Sequence, residues 1–107
     1  MDDLTVTEWL KKEELTEEEI DFILTFIPNI SVIKLQPTKA VVICQSMNKQ
    51  FPKVNLKPEE NYLDYNMFKF TIQRYTDNKF SVRELLIRMS EQKICKPLCN
   101  FFLQSEI

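Results

Sequence analysis

The chain of 107 residues contains no glycine. Glycine is the residue that tolerates left-handed backbone and lets a ligand approach the main chain closely. Its absence excludes the P-loop, the dinucleotide fingerprint, the kinase glycine loop and the Gly-x-Ser-x-Gly elbow, because each needs such backbone. A left-handed turn position falls instead to a residue such as Asn78, within Thr76-Asp77-Asn78-Lys79.

Histidine is absent as well. That removes the usual general base near neutral pH, every Ser-His or Cys-His nucleophile pair, and most zinc sites. An enzyme built on this chain would have to use carboxylates or lysine, in a deep pocket holding a carboxylate pair with displaced pKa values. No motif marks such a pair, and the expectation is a protein without catalytic residues, cofactor or metal.

The length points to one domain over 1–107, with 44% hydrophobic and 28% charged residues in the range of soluble globular proteins. Alanine occurs once, at Ala40, and lysine outnumbers arginine 11 to 3, a bias typical of AT-rich coding sequence. Three cysteines, Cys44, Cys95 and Cys99, form an odd set with no secretory framework. Cys95-x-x-x-Cys99 is half a zinc site, to which Cys44 could add a third ligand and a carboxylate or water the fourth, and the plainer reading is three small buried hydrophobes. The acidic start Met1-Asp2-Asp3 has no signal core, and no apolar run approaches the roughly 18 residues of a membrane span. The expected location is intracellular, cytoplasmic or nuclear, with no membrane partner.

The pattern is mainly helical. Thr5 with Glu8 and Thr16 with Glu19 are capping boxes, predicting helices over about 6–14 and from 17 onward. Ile20, Ile23, Leu24 and Ile27 recur at helical spacing until Pro28-Asn29, which reads as a stop. Pro37-Thr38 reads as a start, with Ala40, Val41, Cys44, Met47 and Phe51 on one stripe. Pro52 to Pro58 reads as a basic extended linker, and Pro58 as the first residue of a long central helix near 59–75. Ser81 with Glu84 is a third box, and Pro97 opens a last short helix. The expected fold is a compact bundle of five to seven short helices around the 59–75 helix. The rival is an α+β fold with hairpins near 30–45 and 67–83, favoured by Val41-Val42-Ile43 and by Phe68-Lys69-Phe70-Thr71-Ile72.

Charge is segregated along the chain. Residues 1–27 hold nine acids and two lysines, and residues 28–107 hold seven acids and twelve bases. Five of the nine early acids lie near helix starts, where the macrodipole favours them. No acid occurs between Phe22 and Pro58, where the only charges are Lys34, Lys39, Lys49, Lys53 and Lys57. Two functional readings follow. The first is a non-catalytic protein–protein interaction module, an adaptor, inhibitor or subunit of a larger complex, anchored by aromatics near the ends, Trp9, Phe101 and Phe102. The second is a nucleic-acid-binding domain. It would use Lys34, Lys39, Lys49, Lys53 and Lys57, with Phe51 as a stacking platform, or the 78–86 segment as a turn and recognition helix. The overall pI near 5.2 weighs against the second. The final Ser105-Glu106-Ile107 also has the pattern that a PDZ groove captures, if Ile107 is the natural terminus.

Overall fold

Hydroxyl caps set the first two helix starts where the sequence predicts them. The Thr5 hydroxyl accepts from the Glu8 N–H at 3.1 Å, and the Glu8 carboxylate accepts from the Thr5 N–H at 2.9 Å. Thr16 and Glu19 repeat the exchange at 3.1 and 2.8 Å. A computed structural model of the protein describes residues 2–105. Helix α1 spans Val6–Lys12, α2 Glu17–Leu35, α3 Ala40–Gln50, α4 Tyr65–Tyr75, α5 Val82–Glu91 and α6 Lys96–Ser105, with a 3-10 turn at Pro37–Lys39 between α2 and α3. Among the described residues 68% are helical and none is in a strand. The mainly helical reading therefore holds, and the hairpins near 30–45 and 67–83 do not form.

Three expectations are corrected. First, α2 runs through Pro28 to Leu35. A proline inside a helix costs about 3 kcal/mol, yet Ile27 and Ile30 on either side of it are fully buried. Burying a branched aliphatic side chain is worth about 1.5–3 kcal/mol each, enough to carry the helix across. Second, Pro58 starts no helix. Residues 51–64 form a loop, and Asp64 caps α4 by accepting from the Met67 N–H at 3.1 Å. The loop is pinned, not extended linker. Phe51, Val54, Leu56 and Tyr62 are buried, Asn48 exchanges two hydrogen bonds with the Leu56 backbone, and Arg74 donates to the Val54 carbonyl at 2.6 Å. Third, the central helix is α2, not a helix over 59–75, because Phe22, Ile23, Phe26, Ile27 and Ile30 are all at 0% exposure.

An aromatic stack runs across the core. Phe102 on α6 lies 4.1 Å from Phe68 on α4, Phe68 lies 5.6 Å from Phe26 on α2, Phe26 stacks on Phe22 at 5.1 Å, and Phe22 on Tyr75 at 4.0 Å. These rings join three helices that are distant in sequence. With no glycine and one alanine to permit close backbone approach, large rings fill the space between the helices.

The helices end by two devices. Before proline the chain leaves the helix for extended backbone, at Gln36 (φ −137°) ahead of Pro37 and at Phe51 (φ −129°) ahead of Pro52. Elsewhere a non-glycine residue takes the left-handed conformation. At the end of α1, Glu14 has φ 68°, with Leu15 N–H donating to the Leu10 carbonyl and Glu14 N–H to that of Lys11. At the end of α5, Lys93 has φ 61°, with Ile94 N–H donating to Met89 and Lys93 N–H to Ser90. Both are Schellman motifs in which glycine is the usual occupant. Asp77 and Asn78 close α4 with φ values of 54° and 53°, and Asn78 N–H donates to the Gln73 carbonyl.

Candidate interaction surface

The aromatics singled out near the chain ends are mostly interior. Trp9 is 4% exposed, meets Phe80 edge-on at 5.7 Å, and has the Arg88 guanidinium 4.8 Å above its ring. Phe102 is at 0% exposure in the aromatic stack. Phe101 is half-buried, with the Lys34 ammonium 4.9 Å from its ring centre. Trp9 and Phe102 therefore serve the core, and neither is presented to a partner by the folded chain.

The five lysines proposed for nucleic acid are all exposed but do not line one track. Lys34 lies in the last turn of α2, Lys39 sits in the 3-10 turn, Lys49 lies in the last turn of α3, and Lys53 and Lys57 lie on the pinned loop. Lys53 borders a cleft shared with Glu18, Glu19 and Asp77, so its surroundings are acidic. Phe51, the intended stacking platform, is 4% exposed and packs edge-on against Phe22. In the 78–86 segment, Ser81 caps α5 by accepting from the Glu84 N–H at 3.2 Å. The Glu84 carboxylate accepts from Arg88 at 3.0 Å, so the capping box is only half made. Arg88 also pairs with both Asp2 oxygens at 2.8 Å, which leaves α5 a mixed-charge helix.

A cleft lies between residues 2–5 and α5, lined by Asp2, Asp3, Glu84, Arg88 and Glu91 among others. The Arg88 guanidinium holds the Asp2 carboxyl well below the usual range. Glu8 is lowered by hydrogen bonds from Thr5. Burial pushes Glu19 up, but hydrogen bonds from Lys79 and Thr16 outweigh it and the net shift is downward. All three carboxylates are thus shifted towards the charged form, opposite to what a general acid needs. Burial pushes the Cys99 thiol up to about 12 and raises Cys44 and Cys95 as well, away from the reactive thiolate. Among the described residues no three potential ligands gather for a metal ion, and no helix is long and apolar enough to cross a membrane.

What the surface does present is aliphatic. Among the described residues five large hydrophobics are exposed, and four of them, Val32, Leu35, Val41 and Val42, fall within eleven residues at the α2–α3 corner. Leu35 is 78% exposed, Val42 62% and Val41 51%. The fifth, Phe70, stands on α4. Their exposure follows from helix geometry. Ile43, Cys44 and Met47 turn the inner face of α3 to the core, and successive residues point about 100° apart. Three consecutive β-branched residues cannot share that face, so Ile43 is buried and Val41 and Val42 are not. Val41 was expected on the buried stripe and is corrected to the outside. On α2, Val32 is turned away from the face of Ile27 and Ile30, and Leu35 is the last residue of the helix. The adjacent-residue signal Val41-Val42-Ile43 was present in the sequence, where it also suggested a strand. The Ser105-Glu106-Ile107 pattern lies outside the described residues from Glu106 onward. Comparison of the chain with protein-family profiles, curated proteins and solved structures finds no match.

Proposed function

We propose that the chain is a non-catalytic helical protein–protein interaction module, an adaptor, inhibitor or subunit of a larger complex. The observation that carries this reading is the aliphatic corner at Val32, Leu35, Val41 and Val42. Removing such side chains from water is favourable by about 25 cal/mol per Å². A fold that buries Trp9 and six of its eight phenylalanines, yet leaves these four side chains outside, has a surface suited to a partner. An intracellular site of action, cytoplasmic or nuclear, fits the three unpaired thiols.

The test is affinity capture by the tagged chain and by a Leu35→Glu/Val42→Glu variant, in high salt and with nuclease. A protein retained by the parent and lost from the variant, whose thermal melt is unchanged, is the expected result. An identical set of captured proteins for both would contradict the reading. The nucleic-acid alternative would instead give nucleic acid that is lost as salt rises.

A further inference from the structure

From Phe22 through α3, the stretch of chain that forms the aliphatic corner carries lysine and no acid. No acid occurs from Phe22 to Pro58, and Lys39 and Lys49 are exposed on either side of Val42. Lys39, Val42, Ser46 and Lys49 follow one another at spacings of three and four residues, which places them on one outer stripe running from the 3-10 turn along α3. Resting on the interaction reading above, we propose that this corner docks an acidic amphipathic segment of another protein. Its apolar side chains would cover Leu35, Val41 and Val42, and its carboxylates would face Lys39 and Lys49.

The charge pattern decides between occupants. If a second copy met the corner with its own corner, lysines would face lysines, which is repulsive. If it used its acidic N-terminal part, Glu17, Glu18 and Asp21 would supply charge, but no large hydrophobic within 2–27 is exposed to cover the aliphatics. The N-terminal part thus offers acid without apolar cover and the corner apolar cover without acid, whereas a partner for this corner needs both on one face. Single-stranded nucleic acid is held by aromatic stacking, which valine and leucine do not provide. A membrane-surface helix needs a continuous face with residues such as Trp, Phe and Leu. The outer side of α3 instead carries Val42 among Gln45, Ser46 and Lys49.

The probe is a pair of labelled helical peptides of about 18 residues, with the same leucine stripe, flanked by glutamate in one and lysine in the other. Fluorescence anisotropy with the full chain at low salt is expected to give at least about tenfold tighter binding of the glutamate peptide. Val42→Glu or Leu35→Glu should abolish it without changing the thermal melt, and Lys39→Glu/Lys49→Glu should reverse the preference. Equal or reversed preference in the parent, with binding still dependent on Val42, would overturn the acidic partner but leave the interaction module standing. Binding of neither peptide would overturn the assignment of occupant, while the capture experiment judges the module separately. Binding that ignores both Val42 and Leu35 would overturn both. Preferential binding of phosphatidylcholine–phosphatidylserine vesicles or oligothymidylate at this corner would also overturn the assignment. So would self-association in sedimentation equilibrium that Val42→Glu removes.

Discussion

At the scale of single residues, the missing glycine is compensated by strain. Glu14 and Lys93 hold left-handed backbone that costs an L-residue about 1–2 kcal/mol, and each does so to close a Schellman motif. Glycine at either position relieves the clash with Cβ but loosens the unfolded chain. The net expectation for Glu14→Gly and for Lys93→Gly is a gain of about 0.5–1 kcal/mol each in urea denaturation, nearly additive because the sites lie in different helix ends. Loss of stability in both would contradict the assignment of these positions. Nothing in the sequence announces them, since a helix end without glycine or asparagine looks like helix interior. That is why the first helix reads as reaching Glu14 although α1 stops at Lys12. The hydroxyl caps at Thr5, Thr16 and Ser81 were legible because their partners lie three residues away in the same segment. Asp64 was not, since Met67 follows it where a capping box would have Glu or Gln.

At the scale of elements, tertiary burial overrides local rules. Pro28 should end α2, yet the helix continues because Ile27 and Ile30 are both wholly buried. Pro28→Ala restores a main-chain donor, removes the clash with the preceding turn, and should stabilise the protein by about 1–3 kcal/mol in urea denaturation. A destabilised variant would mean that the proline ring packs better than this account allows. The aromatic stack makes the opposite prediction for α6. Phe102→Ala removes a fully buried ring stacked on Phe68 and should cost about 3–5 kcal/mol, read as a lowered thermal midpoint. Its position three residues from the last described helical residue, beside Phe101, gave no sign of which ring faces inward. Caps and periodicity located the starts of α2 and α5, although Pro28 hid the second half of α2. Periodicity misplaced Val41 because the short α3 stripe could be drawn through either of two neighbouring valines.

At the scale of the molecule, the acidic N-terminal part is tied to the rest by specific pairs. Lys79, in the turn between α4 and α5, donates to Glu19 at 2.8 Å and to the Glu14 carbonyl at 3.5 Å. Tyr75 donates to Glu18 at 3.0 Å, and Arg88 clamps Asp2. Some of the charge segregation visible in the sequence is therefore satisfied within the chain. Glu19 is 7% exposed and its pKa is lowered on folding, so its contribution is present above the unfolded value near 4.5 and fades as pH falls through the folded value. Lys79 is partly open to water, which screens the pair. Glu19→Gln should cost about 1–2 kcal/mol at pH 7, and urea midpoints of parent and variant should converge as pH falls through the folded value of Glu19. A gap that persists at low pH would assign the effect to packing instead.

Among the described residues no ion pair joins Lys39 or Lys49 to an acid, and the proposed partner would bind beside them at the α2–α3 corner. The most direct measurement is site-specific photocrosslinking from positions 35 and 42 in living cells, with the exposed position 91 at the end of α5 as the control. A discrete protein adduct from 35 and 42 and none from 91 is the expected result. No adduct at the corner, or an equal one from position 91, would contradict the interaction reading.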